Sequence, residues 1–98
     1  MFTFINRFTV EGGTEEFERR LADITAHMSQ QPGFRSHRLY HSGKDPKVYV
    51  EVAEWEHAAD HQRAARTEEF LVAVRQVQKL ASADPAPYTL VTTHAATP

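Results

Sequence analysis

Hydrophobic and polar residues alternate through the first ten positions, MFTFINRFTV. Phe2, Phe4, Asn6, Phe8 and Val10 fall on one side of an extended chain, and Thr3, Ile5, Arg7 and Thr9 on the other. A period of two reads as a strand. Glu11-Gly12-Gly13 interrupts it, and the apolar period then changes. Phe17, Leu21, Ile24 and Met28 recur at helical spacing, so one stripe of a helix faces a core. Thr14 is placed to cap that helix, with Glu15 and Glu16 at its positive N-terminal end. Pro32-Gly33 stops it. Phe34 to His41 is a second predicted strand, Ser42 to Pro46 a hairpin loop, and Lys47 to Trp55 a third strand. Within the third, Val48, Val50 and Val52 share one face, while Tyr49, Glu51 and Trp55 share the other. A short helix is predicted from His57 to Arg66, and a second, capped by Thr67, runs through Phe70, Val74, Val77 and Leu80. Asp84-Pro85-Ala86-Pro87 reads as a stiff turn, Tyr88 to His94 as the last strand, and 95–98 as a frayed tail.

The order β-α-β-β-α-β predicts one α+β domain over residues 1–98. It is a ferredoxin-like split βαβ fold, a four-stranded antiparallel sheet with helices on one face. The valine face is then left bare, and a bare apolar face in water is an association signal. A homodimer packed sheet to sheet through the valines, closing a dimeric α+β barrel, is the economical solution.

Composition narrows the partners. A net charge of -2 gives no basic field for nucleic acid and no polybasic patch for a membrane. The absence of cysteine removes disulfides, thiolate nucleophiles and sulfur ligands for metals. The opening segment is too short and too polar at Asn6 and Arg7 for a signal peptide, and no apolar run reaches membrane-spanning length. A cytoplasmic protein is the expectation.

Four segments carry a family resemblance: INRF in the first strand, QPGF before the second, VYVEVAEWEHAADH from the third strand into a helix, and TEEF opening the last helix. In this order and spacing they make the chain similar to the antibiotic biosynthesis monooxygenase (ABM) domain of the dimeric α+β barrel superfamily. The resemblance implies a cofactor-independent monooxygenase that oxidises an anthrone- or phenol-like aromatic polyketide to a quinone with molecular oxygen. No metal, flavin or haem is then required. It also implies catalytic roles for His41, Trp55 and Arg75, which match the family's histidine, tryptophan and arginine. Where the family has an asparagine and a tyrosine, this chain has Glu51 and His61, altering both charge and proton inventory. A haem-degrading branch shares Asn6, but Ala64 and Val74 stand where its tryptophan and haem-ligating histidine belong. Without an axial ligand, iron is held poorly.

Triplet dioxygen reacts slowly with closed-shell molecules unless they are electron-rich, and deprotonation makes a phenol or anthrone so. Such an enzyme must take a proton and hold the resulting anion in a dry pocket. Glu51 or His41 is the candidate base, Arg75 suits the anionic oxygen, and Trp55 offers a flat surface with one N–H donor. His61 is a candidate relay for breakdown of a peroxide adduct. Asn6, Tyr49, Phe4 and Phe70 are the expected substrate contacts. Competing readings remain: Glu51 in a structural ion pair with Arg75 or Arg7, and a polyketide cyclase or non-catalytic polyketide-binding protein on the same fold. His57-Ala58-Ala59-Asp60-His61 resembles a zinc-peptidase helix, but zinc needs a third ligand and no metal is expected. His27, His37 and His94 belong to no constellation and read as surface residues.

Overall fold

The computed structural model describes residues 1–98. Seven elements follow one another: β1 (Phe2–Val10), α1 (Thr14–Met28), β2 (Phe34–His41), β3 (Val48–Trp55), α2 (Ala58–Ala64), α3 (Glu68–Gln78) and β4 (Ala81–Tyr88). The strands form one antiparallel sheet in the order β2-β3-β1-β4, the ferredoxin-like arrangement.

Pairing of β1 with β3 runs from Phe2↔Trp55 to Thr9↔Val48, and register decides which side chains share a face. Phe4, Asn6 and Phe8 therefore lie beside Ala53, Glu51 and Tyr49, respectively, under the helices. The predicted stripe of α1 covers them: Phe17, Leu21, Ile24 and Met28 are all buried. Each such side chain contributes roughly 1.5–3 kcal/mol by leaving water.

The helix starts differ from expectation in one case. Gly13 rather than Thr14 is the N-cap of α1, with Phe17 N–H bonding to the Gly13 carbonyl at 3.0 Å and no side-chain cap. Thr67 does cap α3, accepting from Phe70 N–H at 3.3 Å. Its hydroxyl also donates to the Ala64 carbonyl at 2.8 Å. That uses its single proton, so in the 2.8 Å contact between His27 Nε2 and Thr67 Oγ1 the imidazole N–H is the donor. His27 is thus a bolt between α1 and α3, not the surface residue expected.

Gly33 ends the α1–β2 connection with φ +87°, and a Cβ there would lie 2.3 Å from the Asp60 side chain. Only glycine meets both conditions. Asp60 itself caps α2, accepting from His57 N–H at 3.2 Å and from Arg63 at 3.1 Å.

The last strand occupies Ala81–Tyr88, not Tyr88–His94, and Asp84-Pro85-Ala86-Pro87 lies inside it. Proline removes a ladder donor, but β4 is an edge strand paired only with β1. Pro85 and Pro87 are two apart, so both missing N–H groups belong to the same side of the strand, the side facing away from β1. Residues 89–98 have no regular structure.

On the face away from the helices, Ile5, Val50 and Val52 are half-buried, and Tyr40 and Tyr88 are about half exposed. Val48 shares that face by register, opposite Thr9, but is only 7% exposed within the single chain, so Val50 and Val52 carry most of the accessible valine surface. No helix is long and apolar enough to cross a membrane.

Candidate active site

Alanine at positions 53, 81 and 83 is too short to fill the space between the sheet and the helices. A cavity of about 500 Å³ results. Its floor is Phe4, Asn6 and Phe8 of β1 with Glu51, Ala53 and Trp55 of β3. α1 contributes Leu21, Ile24 and Met28, α3 contributes Phe70, Val74 and Val77, and Phe34, His37, His61 and Pro85 border it elsewhere. Mostly apolar walls with a few converging polar groups are what a small-molecule site requires.

Two of those polar groups lack partners. Trp55 is 1% exposed, held edge-on by Phe34 at 5.3 Å and by His61 at 5.6 Å between ring centres. Its Nε1–H is buried with no acceptor, and Asn6 Oδ1 is buried with no donor. Buried polar atoms normally find a bond, because leaving one unmade costs about 1–3 kcal/mol. Both residues line the one apolar cavity, which makes this unpaired donor and acceptor candidate handles for a ligand.

Glu51 is the only carboxylate on the cavity. Its partner is neither Arg75 nor Arg7 but His37, with Nε2 at 2.8 Å from Oε2 and the two side chains 16% and 11% exposed. His37 is therefore not a surface residue. A β-bulge between Phe34 and Ser36 adds one residue to β2 and turns His37 inward, opposite Ala53. The remaining imidazole, His61, lies against Phe4 at 4.5 Å and Phe2 at 5.4 Å. Burial lowers its pKa, and the Glu51 charge only partly opposes the shift, so the ring is neutral at neutral pH.

Of the residues predicted from sequence, Trp55, Glu51, His61, Asn6, Phe4 and Phe70 meet on this cavity. His41, Tyr49 and Arg75 do not border it. His41 stacks on Tyr49 at 4.2 Å and its Nε2 donates to the Pro46 carbonyl at 2.7 Å. Tyr49 and Trp55 are six strand positions apart, roughly 20 Å at 3.3 Å per residue. The Tyr49 hydroxyl donates to Glu18 at 2.5 Å, and its pKa is pushed up to about 12 by burial first and by Glu18 second. Arg75 is exposed on α3, while Val74 and Gln78 of the same helix reach the cavity. His57 is exposed at the α2 N-cap and Asp60 is occupied in capping, so the HxxDH segment presents no metal-ligand face, and no group of three ligating side chains gathers elsewhere.

An α+β sheet hollowed beneath its helices around a buried carboxylate, two imidazoles and an unpaired indole defines a small-molecule enzyme domain. The profile of the family described as antibiotic biosynthesis monooxygenase matches residues 1–76. Deoxynogalonate monooxygenase of Streptomyces nogalater is 35% identical over 82 residues, which are 84% of this chain and 70% of that protein. The crystal structure of SnoaB, a cofactor-independent oxygenase from Streptomyces nogalater, superposes with a TM-score of 0.91 at 33% identity, covering 94% of each chain. An antibiotic biosynthesis monooxygenase homologue from Nitrosomonas europaea shares the fold at 18% identity, with a TM-score of 0.82 over 94% of this chain and 100% of that one. The chain belongs to the antibiotic biosynthesis monooxygenase family, and is an oxidoreductase of the monooxygenase class.

Proposed function

We propose that this protein oxidises an anthrone- or phenol-like aromatic polyketide to a quinone with molecular oxygen and without a bound cofactor. The observation that carries the reading is the unpaired Trp55 N–H and Asn6 carbonyl on the same apolar cavity as Glu51. A flat hydroxy-ketone satisfies both, donating a hydroxyl to Asn6 Oδ1 and accepting from Trp55 Nε1–H at its carbonyl oxygen. Phe4 and Phe70 supply the apolar contact.

Glu51 takes a proton from the reactive methylene, and the Trp55 N–H stabilises charge arriving on the conjugated oxygen. The carbanion gives its electrons to dioxygen and forms a C–O bond, and the proton returns to the peroxide. Loss of the second C–H proton then breaks the O–O bond. The sum is CH2 plus O2 to C=O plus H2O, with all four electrons supplied by the substrate carbon. His61, neutral and lining the cavity, takes that second C–H proton on one ring nitrogen and passes a proton to the leaving hydroxide from the other. His41 and Arg75 are given no step.

An oxygen electrode with a simple anthrone tests this. Wild-type protein is expected to consume oxygen and accumulate quinone, and Trp55→Phe, which keeps the ring but drops the donor, to lose about 10- to 100-fold in kcat/KM. Ring closure of an open poly-β-ketone analogue, with no oxygen uptake on the anthrone, would identify a cyclase, and undiminished turnover in Trp55→Phe would remove the indole N–H from the mechanism.

The open sheet face supports a homodimer built through Ile5, Val50 and Val52 of each copy. Light scattering is expected to give twice the 11.2 kDa chain mass, falling to the single-chain mass in the double variant Val50→Arg, Val52→Arg. A single-chain mass for the wild type at tens of micromolar would remove the dimer.

A further inference from the structure

A base in an apolar cavity must be aimed, and a lone carboxylate is not. Burying Glu51 leaves its oxygens in need of hydrogen-bond partners, and its torsions leave them free to turn. No arginine or lysine borders the cavity to supply those partners. What Glu51 does have is His37, at 2.8 Å from Oε2. An ionised carboxylate only accepts, so the proton of this bond sits on His37 Nε2.

We propose that His37 is the positioning residue for Glu51: its Nε2–H fixes Oε2 and leaves Oε1 to take the substrate proton. The assignment rests on the reading of Glu51 as the base. His37 reaches this place only because the extra residue at the Phe34–Ser36 bulge turns it under the helices. A ring needed for packing alone has no call on one carboxylate oxygen at hydrogen-bond distance, with both groups nearly enclosed. The other titratable groups facing the pair are His61, across the cavity on α2, and Glu18, on α1. His61 is uncharged at neutral pH through burial. Glu18 borders a second, outer depression whose wall, like the cavity's, includes His37, Leu21 and Thr25. The imidazole is therefore part of the wall shared by the two spaces, and trimming it is expected to open one into the other.

Two variants and two readouts test this. His37→Ala is expected to raise the Glu51 titration midpoint, followed by carboxyl 13C NMR, and to move the acid limb of kcat/KM to higher pH. Its kcat should fall about 10- to 100-fold, the ordinary worth of a hydrogen bond to a charged group. His37→Gln, which keeps an N–H donor but cannot titrate, is expected to restore the midpoint and most of the rate. Imidazole added to His37→Ala, entering through the opened wall, should recover part of the rate as well. An unmoved midpoint and an unmoved acid limb in a folded His37→Ala protein would overturn the assignment. A shifted midpoint in a protein whose wild type consumes no oxygen would keep His37 as the holder of Glu51 and discard the oxygenase reading instead.

Discussion

Glu51→Gln is expected to lower kcat for oxygen uptake by about 10²- to 10⁴-fold while the protein stays folded, the usual worth of a positioned general base. The two side chains are nearly the same size, and the glutamine carbonyl can still accept from His37 Nε2–H in place of Oε2. What disappears is the capacity to take a proton. Substrate still meets Trp55 Nε1–H and Asn6 Oδ1, so KM should change far less than kcat. Steady-state oxygen consumption on purified variant and wild type, with matched circular dichroism, makes the comparison. A drop smaller than tenfold would move the base to one of the two imidazoles on the cavity, His37 or His61.

Trp55→Ala should act on stability instead, costing about 3–5 kcal/mol. Trp55 is among the largest fully buried side chains and sits where three strands meet, paired across the sheet with Phe2 on one side and Phe34 on the other. Its loss removes the edge contacts to Phe34 and His61 and joins a new void to a cavity already present. Small domains have only about 5–15 kcal/mol in total, so the variant is expected to unfold at much lower urea concentration or not to accumulate folded at all. A loss below about 1 kcal/mol in urea titrations would mean the neighbouring aromatics collapse into the gap. Set beside Trp55→Phe, this variant separates the indole's packing from its N–H.

The architecture was legible wherever a side-chain period survived without interruption. Alternation in β1 and β3 placed Asn6, Glu51 and Trp55 on one face, and the spacing of Phe17, Leu21, Ile24 and Met28 laid α1 over it. Three misplacements have separate causes. Alternation counted forward from Phe34 sends His37 to the wrong face, because the bulge at Arg35 adds a residue. Counted back from Leu39, which packs against the core, it turns His37 inward, and that signal was available. Position 41 matched the family histidine by spacing, but a residue paired with Tyr49 lies most of a strand length from Trp55. The fourth strand was missed because prolines at 85 and 87 argue for a turn locally. Only the sheet order, a non-local fact, reveals that they stand on a margin where proline costs no ladder bond.

Those same prolines limit how the molecule can aggregate. A foreign extended peptide approaching the free border of β4 would find two donors absent where it needs them, so that border is a poor template for strand-by-strand growth. Fibrous polymerisation from this side is discouraged by covalent structure, with the exposed carboxylate of Asp84 adding a charge beside it.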